Sequence, residues 1–249
     1  MSTDRPLHLV IAIPTYGGMA FEHVEALLRL QGWLGARGIR SQVIHQGMTE
    51  IARARNSLAA RFLSIEAATH LLFIDSDIEF QPEAVEALLD AARPVVGAIY
   101  PKRKLHLDRL IAAARRLTDR DEIVASALDF AVVPDGANAE VTDGLCRVAG
   151  VGMGLCLIRR EVFAALLATG RMRREPAELA GDEPNYGCFD QLLEGEDFYS
   201  EDMAFCRRWR TLCGGEVWAL LDHAIGHVGT MVFRSRMIDA LNAAAALAR

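Results

Sequence analysis

The sequence predicts an α/β fold in which a mostly parallel central sheet is covered by helices on both faces, and three observations carry that prediction. Leu7 to Ile13, His70 to Asp75 and Pro94 to Tyr100 are near-continuous apolar runs, the composition of strands buried on both faces. Stretches of helical periodicity lie between the strand-like runs, so that strand and helix alternate over the first hundred residues. Polar or turn-forming residues close the runs, with Pro14-Thr15-Tyr16-Gly17-Gly18 after the first and Asp75-Ser76-Asp77 ending the third. Open sheets of this kind bind ligands at the carboxyl ends of their strands, which directs attention to those closing residues.

Taken in order, Leu7 to Ile13 is a strand stopped by Pro14, and Phe21 to Arg37 a helix stopped at Gly38. Ser41 to His45 is a short strand. A helix from about Thr49 to Ser64 carries a buried stripe of Ile51, Ala54, Leu58 and Phe62. After the strand at His70 to Asp75, Pro82 stands in the first turn of a helix reaching Ala91, and Pro94 to Tyr100 is a fourth strand. Leu105 to Arg116 reads as a helix with a basic face. Thr118 to Asp143 is mixed, with a turn at Pro134-Asp135-Gly136-Ala137-Asn138. Val148 to Ile158 reads as one strand punctuated by Gly150, Gly152 and Gly154, which suits close approach by another backbone or a ligand. Arg159 to Thr169 is a helix, and the acidic, irregular stretch 170–199 predicts a mobile loop over a site. Glu201 to Leu212 is a helix ended by Gly214-Gly215, Glu216 to Leu221 a short strand, and Met237 to Ala248 an outer helix.

With 249 residues, 51% hydrophobic and 24% charged, the chain can bury a sizeable core as a single domain. Its net charge of -6 supplies no general basic field, so tight electrostatic binding to nucleic acid or anionic membrane is not implied, though local basic patches are allowed. Cys146, Cys156, Cys188, Cys206 and Cys213 form neither an even disulfide set nor a CxxC zinc pattern, so they read as reduced, packed thiols. No stretch approaches the roughly 20 apolar residues of a membrane span, and the first apolar run is a strand rather than a signal peptide. A soluble, cytoplasmic protein is the expectation.

Asp75-Ser76-Asp77 follows an apolar strand directly, and in an extended chain Asp75 and Asp77 point the same way. Convergent carboxylates repel unless a cation sits beside them, and hard oxygen ligands suit Mg²⁺ or Mn²⁺. A bare DxD also reads as a solvated acidic turn, but this one lies where the fold gathers its ligands. Arg55 falls within the buried stripe of its helix, where a charge requires either a structural carboxylate or an anionic ligand. Arg53 and Asn56 share the neighbouring face. Ser200 stands where it can cap the next helix, with Glu201 and Asp202 in its first turn. A carboxylate fixed there and aimed into a cleft is a sound general base. His227 reads as a metal ligand or as a packed histidine. Lys102-Arg103-Lys104 after the fourth strand either meets phosphate or forms a solvated turn.

In this order the segments resemble GT-A glycosyltransferases, and family-2-like enzymes in particular. The matching pieces are Ile13-Pro14-Thr15-Tyr16, Ala54-Arg55-Asn56, Asp75-Ser76-Asp77, Gly152-Met153-Gly154, Ser200-Glu201-Asp202 with Phe205-Cys206-Arg207-Arg208, and His227-Val228-Gly229-Thr230. The resemblance implies a GT-A type Rossmann-like domain, with a nucleotide-binding half over 1–104 and an acceptor and metal-binding half over 105–249. It implies a nucleotide-sugar donor, a UDP-sugar by preference, with Pro14, Thr15 and Tyr16 near base and ribose and Arg55, Asn56 and Ser76 beside the donor. By the same likeness Asp77 and His227 bind the metal, Mn²⁺ rather than Mg²⁺ because of the imidazole, and Asp75 contacts the ribose or the metal's water. Gly152 and Gly154 line the sugar or acceptor pocket. Asp202 resembles the base of inverting members, with Glu201 in reserve. The acceptor, a saccharide, a protein or another hydroxyl, is left open.

Two rivals are a sugar-phosphate nucleotidyltransferase and a GT-A domain that binds a sugar nucleotide without turnover. The first calls for a glycine-rich, basic phosphate loop after the first strand, and Pro14 to Met19 holds no lysine or arginine. A dinucleotide-binding protein is excluded because no GxGxxG follows that strand.

Overall fold

The computed structural model describes residues 6–136, 140–176, 184–231 and 236–247. The alternation expected over the first hundred residues is present: β1 (His8–Thr15), α1 (Phe21–Ala36), β2 (Arg40–Gly47), α2 (Ile51–Ser64), β3 (His70–Ile74), a short β4 (Ile78–Glu79), α3 (Pro82–Asp90) and β5 (Val95–Ala98). The second part carries β6 (Pro101–Leu105), α4 (Leu107–Ala114), α5 (Arg120–Ser126), β7 (Leu128–Phe130), β8 (Val132–Pro134), β9 (Val141–Thr142), β10 (Leu145–Val151) and β11 (Leu155–Arg159). It ends with α6 (Arg160–Ala168), the hairpin β12 (Leu192–Glu194) and β13 (Asp197–Tyr199), α7 (Glu201–Cys213), β14 (Val217–Leu220), β15 (Gly226–His227) and α8 (Met237–Leu247). Among the described residues no helix is long and apolar enough to cross a membrane.

The molecule is a mixed α/β structure on a nine-stranded sheet ordered β2-β1-β3-β11-β5-β14-β10-β8, with β9 beside β10. β1 pairs in parallel with β2 and β3, and β5 in parallel with β14. β11 lies antiparallel between β3 and β5, so β2, β1, β3, β5 and β14 all point one way. The single strand expected over Val148 to Ile158 is therefore two strands in different places, β10 towards the far end and β11 in the centre. The break falls at Gly152-Met153-Gly154, where the chain must pass under the ring of Tyr100. A Cβ added at Gly152 would lie 2.3 Å from the Tyr100 Oη, and one at Gly154 2.6 Å from its Cζ.

The period of two along the central strands divides the core. Val10, Ala12, Leu71 and Phe73 face α2, α6 and α7, whereas Leu9, Ile11, Ile13, Leu72 and Ile74 face α1 and α3. Ala54, Leu58 and Phe62 of the expected stripe in α2 are buried, but Ile51 is exposed at the helix start. At the other end of α2 the guanidinium of Arg160 donates to the carbonyls of Phe62 and Leu63, acceptors that the helix terminus leaves over, and to those of Ile65 and Ala68 just beyond it. Four of the five cysteines are buried and all five are unpaired.

Part of the stretch expected to form a loop is built into this packing. Phe189 is fully buried and stacks on Phe205 with ring centroids 4.5 Å apart, and Arg174 bridges to Tyr186. Residues 177–183 of that stretch, Ala137 and Asn138 of the expected turn, and Ala248 of the last helix lie outside the described residues.

Candidate functional site

β1, β3, β5 and β14 end at one edge of the sheet, and β11 begins there, its Leu155 paired with Ile74. Asp75 leaves β3 with its amide donating to the Gly154 carbonyl at 2.9 Å. The chain then reverses, with the Ile78 amide donating to the Asp75 carbonyl at 3.0 Å. This turn overturns the expectation that the two aspartates point the same way, because side chains alternate only in an extended chain. Asp75 and Asp77 have separate partners.

Asp75 meets Arg55. The Nη2 of Arg55 lies 2.9 Å from Asp75 Oδ1 and 3.1 Å from Oδ2, and its Nε donates to Glu201 Oε1 at 3.4 Å. The charge in the buried stripe of α2 thus has two carboxylate partners, one from the end of β3 and one from the start of α7. Burial works against the guanidinium's charge, but Asp75 and Glu201 outweigh it and raise its pKa. Burial also raises the Glu201 pKa, with Arg55 opposing and Asp202 adding to the rise. The remaining nitrogen of the fork, Nη1, is buried without a hydrogen-bond partner.

Asp77 lies between Arg103 and His227. Arg103 Nη1 is 2.8 Å from Asp77 Oδ2, and His227 Nε2 is 3.5 Å from the same oxygen. Position is set by the short antiparallel pair β4 and β15, in which His227 stands opposite Ile78, and by the Val228 amide donating to the Asp77 carbonyl at 2.8 Å. His227 Nδ1 is 2.8 Å from the Pro101 carbonyl, which only accepts, so Nδ1 carries a hydrogen. Nε2 then either carries the second hydrogen of the protonated ring and donates it to Asp77, or, in the neutral ring, offers a lone pair that a cation can take up. The hydrogen bond to Asp77 raises the His227 pKa against the effect of burial. Burial pushes the Asp77 carboxyl up, but His227 and Arg103 outweigh it and hold its pKa down.

This donor set fits a divalent cation: one carboxylate oxygen and one imidazole nitrogen whose second nitrogen is held by a backbone carbonyl. It is a partial set. Among the described residues no three His, Cys, Asp or Glu side chains come together to hold a metal by themselves, and Asp75 is engaged by Arg55.

Tyr100, which the sequence reading passed over, ties these parts together. Its hydroxyl accepts from the Gly154 amide at 3.1 Å, and its ring meets His227 edge to face at 5.3 Å. The available signal was a tyrosine closing an apolar strand two residues before the basic triplet.

Asp202 accepts from the Ser200 hydroxyl and, at 2.7 Å, from the Met203 amide. Ser200 therefore does not cap α7 through its side chain, as expected; its hydroxyl orients Asp202 instead. Asp202 forms no ion pair among the described residues. Asn56 is buried, contrary to its expected place on a polar face: its amide donates to Asp190 at 2.9 Å and its carbonyl accepts from the Phe189 amide at 2.8 Å. Beside it a polar cleft of about 320 Å³ is lined by Arg53, Arg173, Asn185 and Asp190. Pro14 and Thr15 close β1 opposite Gln46 and Gly47, Tyr16 is 77% exposed, and the Ser76 carbonyl accepts from Ala20 at 2.9 Å.

No family model matches the chain. The comparison with curated proteins likewise gives no match. Among solved structures the chain is similar to A197 from STIV, at 18% identity over 92% of this chain and 98% of that one, with a TM-score of 0.48. A mutant of Drosophila beta1,4-galactosyltransferase 7 in complex with manganese, UDP-Gal and xylobiose aligns at 12% identity over 93% of this chain and 79% of that one, with a TM-score of 0.42. The inositol-1-phosphate CTP transferase from T. maritima aligns at 8% identity over 94% of each chain, with a TM-score of 0.41. Likenesses this distant do not decide function, which rests on this chain's own residues.

Proposed function

We propose that this chain is a metal-dependent GT-A glycosyltransferase that moves a sugar from a nucleoside-diphosphate sugar, UDP being the favoured nucleotide, to an acceptor hydroxyl. The observation that carries the reading is the orientation of His227, whose Nδ1 is committed to the Pro101 carbonyl while Nε2 faces Asp77. Asp77 and His227 would hold Mn²⁺ or Mg²⁺, and diphosphate oxygens of the donor complete a coordination that the protein leaves partial. When bound, the ion supplies positive charge to the leaving diphosphate.

The protein's own residues do the rest. Arg55 holds Asp75 at the end of β3, where its carboxylate meets the donor ribose, and the unpartnered Nη1 gives the same guanidinium a further bond to offer. Pro14, Thr15 and Tyr16 border the nucleotide, Ser76 and the narrow passage at Gly152 and Gly154 border the sugar, and Asn56 fixes the segment carrying Phe189 and Asp190. Asp202 takes the proton of the acceptor hydroxyl as its oxygen bonds to the anomeric carbon and the nucleoside diphosphate leaves from the opposite face, a single displacement that inverts that carbon. The unpaired cysteines support a reducing compartment, with the cytoplasm as the simplest choice. Burial pushes the Cys188 and Cys206 thiols up to about 12, so neither is a nucleophile at neutral pH.

The nucleotidyltransferase reading lacks its basic loop after β1. Binding without turnover fits poorly with Asp202, a carboxylate at a helix start that no cation occupies.

The test is a panel of nucleotide sugars scored by thermal shift and slow donor hydrolysis, with Mn²⁺ and with chelator. At least one donor is expected to raise the melting temperature only with metal, as a ligand of the native state does, and Asp77→Ala is expected to abolish the shift. Donor binding that ignores both chelator and Asp77→Ala would end this reading.

A further inference from the structure

We propose that Arg103 is a resident counter-cation of Asp77 that a divalent ion must displace, so that the site resists free metal. The inference rests on the metal reading above and concerns how that site is controlled. The oxygen that would ligate a cation, Asp77 Oδ2, already accepts from Arg103 Nη1 at 2.8 Å while facing His227 Nε2 at 3.5 Å. A guanidinium and a metal ion cannot both occupy the near side of that oxygen.

Two features of the backbone bring Arg103 there. β6 pairs with β7 at Pro101 with Phe130 and at Leu105 with Leu128, so Lys102, Arg103 and Lys104 stand against Asp129 alone. The surplus residues bulge out of the ladder, a device that re-aims side chains. The stem of Arg103 then crosses the chain at Gly229, where an added Cβ would lie 2.6 Å from Arg103 Cδ. Gly229 follows His227 by two residues, so the segment supplying the imidazole also admits the guanidinium.

The pair is built to open. The Arg103 side chain is 54% exposed and that of Asp77 29%. Ion pairs this wet are weak, so the guanidinium lowers the affinity for a bare ion by roughly twofold to fivefold rather than blocking it. A metal that arrives with a diphosphate gives the displaced guanidinium an anion to meet, which a bare ion does not. Arg103 thereby becomes a device favouring the metal–nucleotide complex over the free ion.

Mn²⁺ alone is the probe, titrated into wild type, Arg103→Ala, Arg103→Gln, Lys104→Gln and Asp77→Ala without nucleotide, with free Mn²⁺ read by electron paramagnetic resonance and folding checked by thermal melts. Both Arg103 variants are expected to bind Mn²⁺ about twofold to fivefold more tightly than wild type, Lys104→Gln to change it less, and Asp77→Ala to lose it. If Asp77→Ala loses Mn²⁺ while the Arg103 variants match wild type or Lys104→Gln, the counter-cation is wrong and the metal reading stands. If Asp77→Ala binds as wild type does, the ion is not at Asp77 and both fall.

Discussion

Glu201 and Asp202 are neighbouring carboxylates at the start of one helix, and their surroundings give them different work. Glu201 packs half-buried against Arg55 and serves to neutralise it, whereas Asp202 is oriented at one oxygen by the Ser200 hydroxyl and the Met203 amide. Asp202→Asn keeps the shape and removes the proposed base, so it should lower kcat by roughly 10²–10⁴ while leaving UDP binding, measured by calorimetry with Mn²⁺, as in wild type. Unchanged transfer would return the role to Glu201. At this scale the sequence showed which residues have unusual positions, because a charge in an apolar stripe is visible from spacing alone. It did not show direction. Asp75 and Asp77 look equivalent until the turn at Ile78 sends one to Arg55 and the other to Arg103 and His227.

Among the elements, the passage from β10 to β11 is the most demanding, since two glycines pass beneath one tyrosine. Gly152→Ala would press a methyl group against the Tyr100 hydroxyl, and overpacking of this kind costs about 1–3 kcal/mol. Removing that hydroxyl with Tyr100→Phe should relieve part of the cost, so a double-mutant cycle by urea unfolding is expected to show coupling of about 0.5 kcal/mol or more. Additive effects would mean that the backbone, not the tyrosine, sets the limit. The glycines were legible as a sign of close approach. Their consequence was not, because an apolar run with glycines carries no marker of where one strand stops and another begins. The helices and strands before Tyr100 were legible for the opposite reason: each is bounded by a residue, such as Gly38 or Pro82, with its own backbone preference.

For the molecule as a whole, buried histidines set a response to acid. Burial lowers the His23 pKa, and burial with help from Arg159 lowers that of His70 from 6.5 to about 4. A histidine with a depressed native pKa binds fewer protons folded than unfolded, so stability falls as pH drops from about 6.5 towards about 4. His227 acts in the other sense: its raised pKa contributes stability below its unfolded value that is lost as pH rises through the folded value. Urea unfolding between pH 7 and pH 4 should therefore show declining stability, with a shallower decline in His70→Gln. An unaltered slope in that variant would remove His70 from the account. The sheet's strand order was beyond the sequence, since which distant strand joins which depends on pairings that local periodicity does not record.

That order has a consequence for how the protein is made. β11 is encoded after residue 150 yet lies between β3 and β5, which are finished before residue 100. While the ribosome is still reading the middle of the message, those two strands have exposed facing edges and no partner to fill the gap, and open edges invite pairing with other chains. The carboxyl end of β3, where Asp75 and Asp77 sit, takes its final surroundings only when Leu155–Arg159 inserts and α7 and His227 follow. The candidate site is therefore assembled late in synthesis.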